Sequence, residues 1–157
     1  MSMKLNYQQA SPGAVNAMWG LEKYMASKIA SQDIEHSLLE LIKMRVSQLN
    51  GCAFCLDMHS KDARAAGETE QRLYTLSAWR ETPFFTEQER VVLAWAEALT
   101  TLATGHPDET LLDALREHFT DSQITDLTLA ICAINSWNRF AIGFGAEVGS
   151  YKVGDFG

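Results

Sequence analysis

The chain is short of proline, cysteine and positive charge, and each shortage narrows what it can be. Three prolines among 157 residues, with 46% hydrophobic and 21% charged side chains, exclude a collagen-like, disordered or low-complexity chain. Thirteen Lys and Arg against twenty Asp and Glu leave a formal charge of -7, which repels a phosphate backbone, so no nucleic-acid partner is expected. No apolar run approaches the roughly 20 residues of a membrane span. Met1-Ser2-Met3-Lys4-Leu5-Asn6 lacks the basic-then-apolar order of a signal peptide, so a soluble cytoplasmic protein without a membrane partner is expected. Three cysteines are too few for a disulfide scaffold, and an odd count leaves at least one unpaired. Gly143 to Gly149 is no phosphate loop, because it follows a helical pattern and lacks both the G-x-G-x-x-G spacing and a Lys-Ser/Thr pair. With no repeat or linker, residues 1–157 read as one domain.

Strand signals are nearly absent and helix punctuation is frequent, so the expected fold is all-α, with six to seven helices. Ser11-Pro12 opens a first helix to about Ile29, with Ser11 as its cap. Ile34, Leu38, Ile42, Val46 and Leu49 mark a second from about Asp33 to Leu49, stopped by Asn50-Gly51. A third starts at Cys52 or Ala53 and runs to Ala66, and Thr69 caps a short fourth through about Trp79. Thr86-Glu87-Gln88-Glu89 is a capping box for a fifth, and Leu111 to Phe119 mark a sixth. Thr120-Asp121-Ser122-Gln123 launches the longest, with Ile124, Leu127, Ile131, Ile134 and Ala141 on one face. The Gly-rich tail from Gly143 to Gly157 is expected to fray.

Cys52 and Cys55 form a C-x-x-C at a helix start, and His59 follows four residues later. At about 100° per residue, Cys55 falls about 60° and His59 about 20° from Cys52, so all three share one stripe. A helix N-terminus favours thiolate over thiol. Lowering a thiol from about 8.5 to about 7 takes roughly 2 kcal/mol, whereas an exposed terminus supplies about 0.3–1. His59 is the second activator, able to take the thiol proton or stabilise the thiolate. A dithiol cycle then follows: Cys55 attacks a peroxide oxygen, Cys52 condenses with the sulfenic acid, and an external dithiol resets the pair. Two zinc ligands, or two small apolar residues that are merely close, are the other readings of such a pair. Zinc is weakened because C-x-x-C-x-x-x-H offers three ligands and the chain has no second C-x-x-C. Cys132, between Ile131 and Ala133, reads as a buried inert thiol.

Glu40-Leu41-Ile42-Lys43-Met44-Arg45-Val46-Ser47-Gln48-Leu49-Asn50-Gly51-Cys52-Ala53-Phe54-Cys55-Leu56-Asp57-Met58-His59 resembles the AhpD-like branch of the carboxymuconolactone decarboxylase family. The resemblance continues through Ser60 to Arg64, Gly67 to Thr69 and Trp79 to Thr86, and covers roughly residues 35 to 145. It implies an all-helical domain that assembles into homo-oligomers, often trimers or hexamers, with alkylhydroperoxidase activity in antioxidant defence and no bound organic cofactor or metal. The partners it implies are a hydroperoxide substrate and a dithiol reductant of thioredoxin or lipoyl type. Carried over, Cys55 is the peroxidatic cysteine, Cys52 the resolving one, and Glu40 with His59 the proton relay. Well-studied peroxidase members carry a second histidine where this chain has Phe54. By its own spacing Glu40 falls with Lys43 and Ser47, where a solvated i,i+3 ion pair is the plain reading, and only the resemblance promotes it.

A non-catalytic redox-responsive oligomer is the alternative to an enzyme, and the cysteine pair argues against lactone decarboxylation, whose family members typically lack it. His36, His106 and His118 have no paired carboxylate or cysteine at ligand spacing and are read as polar-face or loop residues. Arg45 and Arg64 are expected to pair with an acid or a helix end at a subunit contact, and Trp137 and Arg139 to face an oligomer partner.

Overall fold

A computed structural model describes residues 2–156 and places them in helices and turns, with no strand among the described residues. The helices are α1 (Tyr7–Ala10), α2 (Pro12–Ala30), α3 (His36–Asn50), α4 (Ala53–Ala65), α5 (Glu70–Thr75), α6 (Glu87–Thr100), α7 (Glu109–Arg116) and α8 (Asp121–Phe144). Two 3-10 segments, Leu76–Glu81 and Leu102–Thr104, complete the path. The all-α expectation holds. The extra element is α1, a single turn capped by Asn6 and too short to show a hydrophobic period. The expected fourth helix divides at Thr75, where the chain tightens into the first 3-10 segment.

Both capping boxes form. Thr86 and Glu89, and Thr120 and Gln123, exchange side-chain to backbone hydrogen bonds, satisfying amide groups that the first turn leaves free. Ser11 stands at the N-cap of α2 but makes no side-chain cap bond, and Pro12 at the first position reduces the need for one.

Helix α3 is the axis of the molecule and packs against α4, α6 and α8. Leu38, Leu39, Leu41, Ile42, Met44 and Val46 are buried around its whole circumference. On one side Leu39, Ile42 and Val46 join Leu115, Leu127 and Ile131. On the other, Leu41 and Met44 join Ala63, Leu76, Trp79 and Leu93. A helix covered on all sides buries its polar residues too, and Glu40 and Ser47 are both buried. The solvated position expected for Glu40 is therefore corrected.

Two further expectations change, for Cys132 and for the tail. Cys132 is a free, exposed cysteine, because α8 turns that position outward between buried Ile131 and Ala133. Arg45 and Arg64 each pair with an acid, as expected: Arg45 Nε donates to Glu97 Oε1 at 2.8 Å, and Arg64 lies 3.6 Å from Glu70 Oε1 and bonds the Glu68 carbonyl. Trp137 packs on Trp19 and Phe140 of the same chain and donates from Nε1 to Glu22. The tail does not fray over the described residues. Helix α8 ends at Phe144 with Gly145 in the left-handed region at φ 69°. The chain then lies against α4, with Tyr151 buried, its hydroxyl donating to Asp62 at 2.6 Å and its carbonyl accepting from Lys61 Nζ at 3.0 Å. Gly157, the last residue of that segment, lies outside the described residues, as does Met1. Among the described residues no helix is long and apolar enough to cross a membrane.

Candidate active site

The turn between α3 and α4 creates the site. Gly51 takes φ 67°, a left-handed conformation glycine adopts without a Cβ penalty, and ends α3. The amide of Cys52 donates back to the Ser47 carbonyl at 3.0 Å, which sets Cys52 as the N-cap of α4 rather than its first residue. Its sulfur accepts from the Cys55 amide at 3.4 Å, the bond a serine or aspartate would make at that position. Cys52 and Cys55 are joined as a disulfide, with Cα atoms 5.4 Å apart. Both are buried beside Ala141 of α8, with Phe54 and Ala146 packed against them. Phe54 thus sets a hydrocarbon face against the pair.

His59 stands one turn beyond Cys55 and is buried. Its Nδ1 lies 3.7 Å from Glu40 Oε2, and neither atom has a hydrogen-bond partner. The separation is just outside hydrogen-bond range. The other carboxylate oxygen, Oε1, lies 3.3 Å from His36 Nε2 and 3.6 Å from Lys43 Nζ. Burial alone would raise the Glu40 carboxyl, but His59, Lys43 and His36 together outweigh it and hold the group below its ordinary value. Glu40 is therefore an anion at neutral pH.

Of the four residues singled out by sequence, Cys52 and Cys55 meet as the disulfide at the head of α4, and His59, one turn beyond Cys55, meets Glu40 of α3. His36, read from sequence as a polar-face or loop residue, meets Glu40. The sequence signal for this contact is local: His36 and Glu40 stand four apart on one helix, the spacing at which side chains meet. Among the described residues no group of three or more His, Cys, Asp or Glu stands where it could hold a metal ion.

A family model for the carboxymuconolactone decarboxylase family matches residues 15–98. The chain is 42% identical over 150 residues to the uncharacterised protein YdfG of Bacillus subtilis strain 168, across 96% of this chain and 99% of that one. A crystal structure of a protein of unknown function from Agrobacterium tumefaciens, described there as a candidate antioxidant defence protein AhpD, matches with TM-score 0.87 and 43% identity, over 96% of this chain and 100% of that one. The debrominase Bmp8 shares the fold at TM-score 0.79 and 22% identity, over 91% of this chain and 75% of that one. With a family model over more than half its length and such a relative over nearly all of it, the chain belongs to the carboxymuconolactone decarboxylase family, as an AhpD-like member.

Proposed function

We propose that this protein is a thiol-dependent alkylhydroperoxide reductase with Cys55 as the attacking cysteine, Cys52 as the resolving one, and Glu40 with His59 as the proton relay. The observation that carries the reading is a closed C-x-x-C at the head of α4, with a buried imidazole one turn along the helix and a buried carboxylate of α3 against that imidazole. In the reduced protein the Cys55 thiolate attacks the peroxide and takes one oxygen as sulfenic acid, while the leaving alkoxide takes a proton and departs as alcohol. The Cys52 thiol then displaces the hydroxyl as water and closes the disulfide. A dithiol of thioredoxin or lipoyl type becomes a disulfide itself and restores both thiols. The Cys55 amide, already on the Cys52 sulfur, stabilises negative charge there as the pair opens.

Homo-oligomeric assembly is part of the proposal. Ile142, Val148, Val153 and Phe156 are exposed apolar side chains near the end of α8 and in the tail, of the kind a second copy would cover. Light scattering of the purified protein tests it, and a monomer at micromolar concentration would remove it.

The reading is tested by steady-state consumption of an organic hydroperoxide with excess dithiol. Wild type turns over, Cys55→Ser and Cys52→Ser do not, and His59→Ala loses on the order of a hundredfold, as removal of a general base does. An inactive wild type that forms the Cys52–Cys55 disulfide once per chain would replace the enzyme with a redox-responsive switch.

A further inference from the structure

Opening the Cys52–Cys55 disulfide to two thiols consumes two electrons and two protons, whatever substrate later reoxidises it. Both cysteines are nearly sealed from solvent, at 1% and 2% exposure. His59 stands one turn beyond Cys55 on α4 and is buried as well, with Nδ1 facing Glu40 Oε2. The carboxylate does not end the chain of contacts. Its second oxygen meets His36, whose side chain is 46% exposed against 5% for Glu40 and 9% for His59. An open cavity of about 330 Å³, lined by His36, Ser37 and Glu40 among others, brings solvent to this end.

We propose that His36 is the solvent end of a proton path, His36 to Glu40 to His59, that supplies and drains the buried cysteine pair. The inference rests on the reading of Glu40 and His59 as a relay. During reduction by a dithiol, the donor's sulfurs join and release two protons to water, and the Cys52–Cys55 bond breaks. Two protons then enter in turn, each passing from His36 through the carboxylate to His59 Nδ1, while the imidazole releases one from its other nitrogen to a sulfur. Oxidation runs the path in reverse.

The other groups around Glu40 do not fit this part. Lys43 touches the same oxygen as His36 and is shared with Glu22 of α2 at 3.9 Å. An ammonium keeps its proton near neutral pH, whereas imidazole exchanges its own. Glu68 and Glu89 also line the cavity, but Arg72 holds each of them at 2.7 Å.

The test is the rate at which dithiothreitol reduces the disulfide, measured by stopped flow from about pH 5 to about pH 8, the range in which an imidazole switches. Each variant is read as a ratio to wild type, which cancels the donor's own ionisation, and its thermal midpoint is recorded. His36→Ala slows reduction on the order of a hundredfold with a changed pH profile, the effect of removing a general acid. Added imidazole restores the rate, because the vacated site is open. His59→Ala is slowed as well and stays slow with imidazole, because its site is closed. Rates and profiles equal to wild type in His36→Ala overturn the proposal. So does a slowed His36→Ala that imidazole leaves slow, since that outcome makes His36 structural. The assay contains no peroxide, so loss of the peroxidase reading and loss of the proton path are separate results.

Discussion

Glu40 keeps its charge inside the molecule because His59, Lys43 and His36 stand on three sides of its carboxylate. That arrangement gives stability a pH dependence whose sign is fixed. A carboxyl below its ordinary value in the folded state binds protons less readily than in the unfolded chain. Its contribution is therefore complete above the ordinary carboxylate value, about 4.3, and is lost as pH falls through the lower folded value. Glu97 behaves alike: burial raises it, but Trp79, Arg80 and Arg45 donate to it and hold it down. Wild type thus loses stability below about pH 4 through both residues, and Glu40→Gln removes one of the two contributions. At neutral pH Glu40→Gln is expected to cost about 1–3 kcal/mol in urea denaturation, the range for removing a charged buried partner. The difference from wild type narrows as pH falls below about 4. A difference that stays constant with pH would show that the carboxylate acts by shape and not by charge.

The junction of α3 and α4 is held by a buried polar ladder from α8. Asn138, fully buried, donates to Ser47 Oγ at 3.1 Å and accepts from Asn50 Nδ2 at 2.9 Å, and Asn50 also donates to Asn135. Ser47 and Asn50 flank the turn that carries Cys52, so the ladder ties the cysteine loop to the longest helix. Asn138→Leu keeps an apolar volume but strands the Ser47 hydroxyl and an Asn50 amide proton. It is expected to destabilise the fold by about 1–3 kcal/mol in urea denaturation. Faster amide hydrogen exchange at residues 52–55 than at the first turn of α6 would locate the loss at the junction, and equal acceleration at both would refute that placement. The helices themselves were legible where their signals are local: two capping boxes, the Asn50-Gly51 stop and the C-x-x-C at a helix start. What periodicity could not reveal is how many neighbours a helix has. A stripe on α3 predicts one buried face, yet α4, α6 and α8 cover the rest, and so Glu40 and Ser47 are buried where solvent was expected. Cys132 shows the converse, an apolar neighbourhood in sequence that α8 turns outward.

At the scale of the molecule, the last segment closes the site that the first half builds. Its glycines and polar residues carry no helical or strand period, so its docking is purely tertiary and was not legible in sequence. Ala146 packs on the cysteine pair, and the segment is fastened further along by Tyr151, which stacks on Phe156 with ring centroids 5.5 Å apart. Burial and then the bond to Asp62 push the Tyr151 hydroxyl up to about 12, so it stays a donor throughout the physiological range. Gating of the cysteines by this strap predicts that a weaker hold on Tyr151 raises the rate at which a reagent reaches them. Tyr151→Phe removes one hydrogen bond, worth about 0.5–1.5 kcal/mol, and keeps the ring. In a Cys132→Ser background, which removes the exposed thiol, the reduced cysteines of Tyr151→Phe should react with a maleimide up to about tenfold faster than those of the parent, as 1.4 kcal/mol in the opening equilibrium requires. Tyr151→Ala, which also loses the stack on Phe156, should react faster still. Equal rates in all three proteins would mean that the pair is reached by another route, and that the strap stabilises α4 without gating the chemistry.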